Sequence, residues 1–342
     1  MSAGSPRLQP QPRVELADYP VDAAWSSDGN VLAVAGGEGA VLLLSAAAHA
    51  APYRIGSHAG GALAVVWQKA GRLFATSGQD GKVLLWDARS GEAKCILECA
   101  EWSEQLAFAD NGRLLAVASG RTLRIFDDSG VLQQTLPGHS GVIASIAWRP
   151  KSTEIAAAGN GGMRLHRLDA GAAAAPSARD FAWRGARLSA SWNADGRVLA
   201  SGMQDGSVHL WYVASASQSQ MQGMGAKVFV TEWSGNGRYL ATAATSSIVV
   251  WDFSGKGPEG SRPLELQAHS ERLSALRFRP GSTTLVSAAR DRRLLLWRVG
   301  AASEPLDAHL LADECTLLRF SRDGARLAAG DARGGVTLYD CA

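Results

Sequence analysis

Cysteine is scarce in this chain, long apolar runs are missing, and neither sign of charge dominates. Only Cys95, Cys99, Cys315 and Cys341 occur in 342 residues, at no common interval. A disulfide framework is therefore not expected, and reduced thiols suit an intracellular protein. No run of 18 apolar residues exists, so no membrane-spanning helix is expected. The opening stretch MSAGSPRLQPQPR has no apolar core of a secretory signal, which makes cytoplasmic residence the expectation. Thirty-four Lys and Arg against 32 Asp and Glu leave a net charge of +2, so overall electrostatics do not favour nucleic acid as a partner. With 46% hydrophobic and 19% charged residues, the composition is that of an ordinary globular protein.

What the chain does have is a repeat. An apolar run ending in an aromatic recurs eight times, at Trp25, Trp67, Phe108, Trp148, Trp192, Trp233, Phe278 and Phe320. A later run closes on Leu44, Trp86, Phe126, His166, Trp211, Trp251, Trp297 and Tyr339. Trp25 to Phe320 and Leu44 to Tyr339 each span seven intervals of about 42 residues. Strand-like units at that period, with no helical pattern, are blades of a β-propeller, which forms one closed unit whatever its length.

Each repeat reads as three clear strands and a weaker fourth. The first turn is Asp28-Gly29, Asn111-Gly112, Asp195-Gly196, Asn236-Gly237 or Asp323-Gly324, pairs that supply the positive φ of tight hairpins. A small apolar second strand such as 199–202 follows. Then comes a turn at Asp80-Gly81 or Asp205-Gly206 and a third strand such as 83–86 or 208–211. The fourth, outer strand is expected near 94–97, 132–136, 179–183 and 264–267. Residues 1–12, rich in Pro and Gln, are expected to form a flexible tail, and 13–342 one eight-bladed ring. Its repeats centre near 18–45, 58–87, 99–127, 139–167, 183–212, 224–252, 269–298 and 311–340. Repeat 8 stops after its third strand, and 13–18 is an alternating segment with no partner. An N-terminal strand completing the last blade would close the ring and remove a free sheet edge.

These residues resemble the WD-repeat β-propellers over about residues 13–341. Trp86-Asp87 and Trp251-Asp252 are the family dipeptide, with Phe126-Asp127 and Tyr339-Asp340 as variants. Alanine-rich composition and short loops look bacterial. The resemblance implies a structural His nine residues before the first-strand aromatic and an Asp six before the closing one. Repeats 2 and 7 keep both, as His58, Asp80 and Trp86 and as His269, Asp291 and Trp297. The hydroxyl that would join them is expected at Gly78 and Ala289, so these networks should be incomplete. Both histidines are read as structural, not catalytic.

Candidate chemistry is thin. Gly255 to Gly260 fits a dinucleotide-binding glycine pattern, but Pro263 and a strand follow where a helix is needed. Cys95 and Cys99 have no second ligand pair for structural zinc, and no G-x-S-x-G elbow is present. No catalytic residue, metal or cofactor is therefore expected. The resemblance instead implies a protein partner on the rim around the central channel, carried by Tyr19, Gln79, Trp102, Gln204, Lys227, Arg272 and Arg290. An aromatic sector on blades 1–3 and a basic sector on blades 6–7 would suit an extended peptide with one acidic and one apolar end. The alternative is RNA or a phosphorylated ligand held by the arginines of repeats 7 and 8; an enzyme with an axial site comes last. A monomeric propeller acting within a complex is expected.

Overall fold

The hairpin that opens each repeat is built by side chains next to its turn. After Trp25, the Asp28 carboxylate accepts hydrogen bonds from Ser26 Oγ (2.6 Å) and Asn30 N (3.0 Å), while Gly29 takes φ +70°. Ser234 with Asn236 and Ser321 with Asp323 repeat the device, with Gly237 at φ +71° and Gly324 at φ +69°. Glycine alone enters this left-handed region without strain, and the polar side chain closes the turn, so the flanking strands leave it antiparallel.

The computed structural model describes residues 6–47, 50–99, 101–136, 139–160, 162–168, 177–181, 188–255 and 257–342. Among them lie eight antiparallel sheets and no helix, so none that is long and apolar enough to cross a membrane. Blade 2 shows the common order, Ala62–Trp67, Leu73–Gly78, Lys82–Asp87 and Glu92–Glu98, each strand paired with the next. The first strands of successive blades touch one another around the ring and are therefore innermost. Second strands such as Leu73–Gly78 and Glu154–Gly159 are small-residue and almost wholly buried, which suits the crowding near the axis. The outer strands run Glu92–Glu98, Leu132–Leu136, Ser177–Phe181 and Leu264–Leu266 at the four expected places; Trp183, expected to end one of them, lies outside the described residues.

The hydrophobic core is divided among the blade interfaces. Eight apolar clusters occur, one between each pair of neighbouring sheets. One joins Trp25, Leu32 and Leu44 of blade 1 to Leu317, Ala328 and Leu338 of blade 8, so the ring is closed. Four of the five first-strand tryptophans also clamp blades together by hydrogen bonds, the exception being Trp67, whose Nε1–H turns back to Gly71 O of its own blade. Trp25, Trp148, Trp192 and Trp233 donate Nε1–H to the backbone carbonyls of Arg319, Ala107, Ala147 and Ser191 at 2.8–3.2 Å, each on the preceding blade. The phenylalanines of the ladder have no such donor and contribute packing alone.

Closure uses more of the N-terminus than expected. Leu8–Pro10 pairs with the last strand, Gly335–Cys341, in the register Leu8 to Cys341 and Pro10 to Tyr339. Val14–Glu15 pairs with the same strand at Val336 and Gly335. The tail expected over 1–12 is thus corrected over 8–10, while 1–5 lie outside the described residues. Leu8 is buried in the blade 7–8 cluster, and two short strands complete blade 8 in place of one. Alternation of polar and apolar residues revealed Val14–Glu15. The earlier strand escaped notice because Gln9, Pro10, Gln11 and Pro12 together read as a loose segment. Pro10 sits on the outermost strand, where a proline is tolerated.

Candidate functional site

The residues implied to be structural form two complete networks. In blade 2, His58 Nδ1 lies 3.0 Å from Asp80 Oδ1 and His58 Nε2 2.9 Å from Thr76 Oγ1, to which Trp86 Nε1 donates at 2.8 Å. Blade 7 repeats this with His269, Asp291 (3.0 Å), Ser287 (2.8 Å) and Trp297 (2.8 Å). The joining hydroxyl therefore stands at Thr76 and Ser287, not at Gly78 and Ala289, and the networks lack nothing. The error is one of two residues, which keeps the same strand face and so leaves the pattern unchanged. At Gly78 a Cβ would come within 2.4 Å of the His58 Cβ, which explains the glycine. Burial works against the Asp80 charge, but hydrogen bonds from His58 and the amides of Lys82 and Ala59 outweigh it and hold the carboxyl below its usual range. Every polar atom of these groups is engaged, as a structural role requires.

The rim is defined by backbone hydrogen bonds that tie the start of each first strand to the turn between second and third strands. Gly37 N donates to Tyr19 O, Gln79 N to Gly61 O, Arg290 N to Arg272 O and Ala332 N to Glu314 O, at 2.9–3.0 Å. Tyr19, 47% exposed, lies over the backbone of Gly37, where a Cβ would meet its ring. Tyr19, Arg272, Arg290, Glu314, Phe229 and Thr316 line one depression of about 490 Å³. Arg290 donates to Glu314 at 3.0 Å. The Arg272 guanidinium instead stacks on Phe229, 4.5 Å from the ring centroid, and has no carboxylate partner among the described residues. Cys315 lines the same depression, and burial pushes its thiol up to about 12, which favours the protonated form.

Trp102 stands apart. It is 53% exposed and shares a depression of about 410 Å³ with Glu101, Glu104 and Val142. The expected aromatic sector over blades 1–3 is therefore not one surface. Ring closure brings Tyr19 of blade 1 to the arginines of blade 7 across blade 8, while Trp102 has acidic neighbours. Gln79, Gln204 and Lys227 are exposed but line neither depression. Lys256 of the glycine pattern lies outside the described residues.

Most arginines of repeats 7 and 8 are already committed. Arg277, Arg290, Arg319 and Arg333 face Glu232, Glu314, Asp22 and Asp313, and Arg279, Arg293, Arg322 and Arg326 donate to backbone carbonyls. Two of these pairs line the axis, a feature missed in the sequence. The residue before the first-strand aromatic is Ala24, Val66, Ala107, Ala147 or Ser191 in blades 1–5, but Glu232, Arg277 and Arg319 in blades 6–8. Asp22 pairs with Arg319 at 2.5 Å and Glu232 with Arg277 at 3.6 Å, so the channel wall is charged on one side and self-neutralised. Burial there holds the Glu232 carboxyl above its usual range.

Blade 4 carries a different network. His139 and His166, in the places of the structural His and the Trp, have Nε2 atoms 3.1 Å apart, with Arg164 and Asp180 beside them. Burial first, then His139 and Arg164, lower His166 from an ordinary 6.5 to about 4, and burial lowers His139 too. A folded-state value below the unfolded one favours folding above the unfolded value and loses that contribution as pH falls towards the folded one. Stability should therefore fall between pH ~6.5 and 4, by on the order of 3 kcal/mol for His166. Urea midpoints measured across that window for wild type and His166→Gln check this; an equally steep decline in the variant would rule it out.

The same repeats carry the chain's similarity to known proteins. Residues 52–87, 130–167, 185–212 and 260–298 match the WD domain, G-beta repeat, and these segments contain the inner strands of blades 2, 4, 5 and 7. The chain is 31% identical over 150 residues to Meiotic fizzy-related protein 1 of Schizosaccharomyces pombe, covering 42% of this chain and 33% of that one. It is 23% identical over 233 residues to Cell division cycle 20.1, cofactor of APC complex, of Arabidopsis thaliana, covering 64% and 50%. THO complex subunit 3 of Arabidopsis thaliana is 26% identical over 130 residues, covering 37% and 40%. The matched stretches thus span a third to a half of these relatives. Among solved structures, the computationally designed Ika8 protein superposes with a TM-score of 0.77 at 16% identity, over 95% of this chain and 97% of that one, a likeness of fold.

Proposed function

Because this chain is a WD-repeat β-propeller, we propose that it is a non-enzymatic scaffold that binds another protein on the rim around its central channel. The observation that carries this reading is the depression between blades 7, 8 and 1. There a guanidinium without a carboxylate partner is held on an aromatic ring beside an exposed tyrosine. Tyr, Trp and Arg are the residues that most often anchor interfaces, and a rigid disc that presents them loses little entropy on binding. Relatives named as a subunit of a THO complex and a cofactor of an APC complex support membership of an assembly. The committed arginines of repeats 7 and 8 favour a protein over a polyanion, since a nucleic-acid surface needs free cations. A cytoplasmic setting belongs to the same reading.

Arg272→Ala combined with Tyr19→Ala, both on the wall of that depression, should leave the melting curve within experimental error and remove the partner from affinity-purified material. Arg279→Ala, on the far side of blade 7, should retain it. Full recovery of the partner by the double variant would place the interface elsewhere on the ring.

A further inference from the structure

We propose that the His139–His166 pair of blade 4 chelates a late first-row divalent metal ion, the class for which imidazole is a favoured ligand. The two Nε2 atoms are 3.1 Å apart with ring centroids at 5.2 Å and planes at 53°, so the rings meet nitrogen to nitrogen and do not stack. Metal–imidazole bonds of about 2.0–2.1 Å at neighbouring coordination positions place two such nitrogens about 3 Å apart.

The pair exists because a bridge is missing. His166 lies opposite Ile155 in the sheet, as Trp86 lies opposite Phe74 and Trp297 opposite Leu285. Two residues further along, where blades 2 and 7 have Thr76 and Ser287, blade 4 has Ala157. No hydroxyl separates the ring nitrogens, and of two neutral imidazoles facing each other one Nε2–H donates to the lone pair of the other Nε2. Moving that proton to Nδ1 leaves both Nε2 atoms free to bind, with no proton lost.

Room and charge are compatible with an ion. His139 is half-buried on the wall of an open depression of about 300 Å³ that also contains Ser140, Asn160 and Asp180, giving an entry path and space for water ligands. The adjacent Arg164 is held by Asp180 through bonds of 2.5 and 2.8 Å, so its charge is compensated. The two imidazoles supply two positions and water the remainder. Among the described residues no group of three or more His, Cys, Asp or Glu converges, so this is an open two-ligand site.

Calorimetric titration of the full chain with Ni²⁺ should show one equivalent bound to wild type, with a raised melting temperature, and loss of that equivalent in His139→Gln and His166→Gln. Should His166→Gln fail to fold, the half-buried His139→Gln and a second measurement decide the matter. Cu²⁺ bound to wild type should give an electron paramagnetic resonance spectrum with two equatorial imidazole nitrogens, absent from His139→Gln. Equal Ni²⁺ binding by wild type and His139→Gln, no binding by either, or a one-nitrogen Cu²⁺ spectrum would overturn the assignment.

Discussion

Arg13→Ala should destabilise the ring by about 3–5 kcal/mol, the range expected when one partner of a buried ion pair is removed. Arg13 Nε and Nη2 donate to Asp331 Oδ2 and Oδ1 at 2.7 and 2.8 Å, and the Asp331 side chain is only 2% exposed. The carboxylate also accepts from the Arg333 amide at 3.0 Å, so it is fixed in place and cannot turn to water when the guanidinium goes. A Cβ on Gly335 would lie within about 2 Å of the guanidinium, hence Gly335→Ala should disturb the same contact from the opposite side. Removing both charges, as Arg13→Met with Asp331→Leu, should restore most of the loss, because the penalty arises from the orphaned charge. Deleting residues 1–18 should cost more than Arg13→Ala. It also removes Leu8 from the core and exposes the edge of Gly335–Cys341. Chemical-denaturation midpoints test the series. An Arg13→Ala midpoint matching wild type would mean that the N-terminal strands do not lock the ring.

Ser287→Ala should cost about 2–4 kcal/mol, since each buried polar group left unpaired costs about 1–3. The hydroxyl is shared by His269 Nε2 and Trp297 Nε1, and all three side chains are buried. Its loss strands an acceptor on the imidazole and a donor on the indole. Ser287→Thr keeps the oxygen and should recover most of the stability, while Ala289→Ser should add none, because that position is not part of the network. Thermal unfolding of the three proteins separates the two registers. If Ala289→Ser stabilised the protein and Ser287→Ala did not, the network would have to be redrawn.

The register of this hydroxyl shows where reading a sequence stops. A strand repeats its faces every two residues, so Gly78 and Thr76 are indistinguishable by pattern; the distance from the imidazole to the hydroxyl decides between them. The rim shows the same limit on a larger scale. Tyr19 and Arg272 are 253 positions apart yet line one depression, whereas Tyr19 and Trp102, nearer in sequence, do not. Arginine counts were misleading for the same reason. A cluster in composition became a set of guanidiniums spent on Glu232, Asp22, Asp313 and backbone carbonyls, leaving Arg272 as the one stacked on a ring in the depression.

By itself the sequence determined the eightfold repeat, the strand order within a blade and the N-terminal closure. Aromatic spacing, Asp-Gly turns and small second strands are local properties that recur every ~42 residues. Only the tertiary structure decided which side chains meet around the ring: Arg13 with Asp331, His139 with His166, Tyr19 with Arg272. Those pairings follow from curvature and closure, which bring together residues on different blades or strands, and no local propensity encodes them.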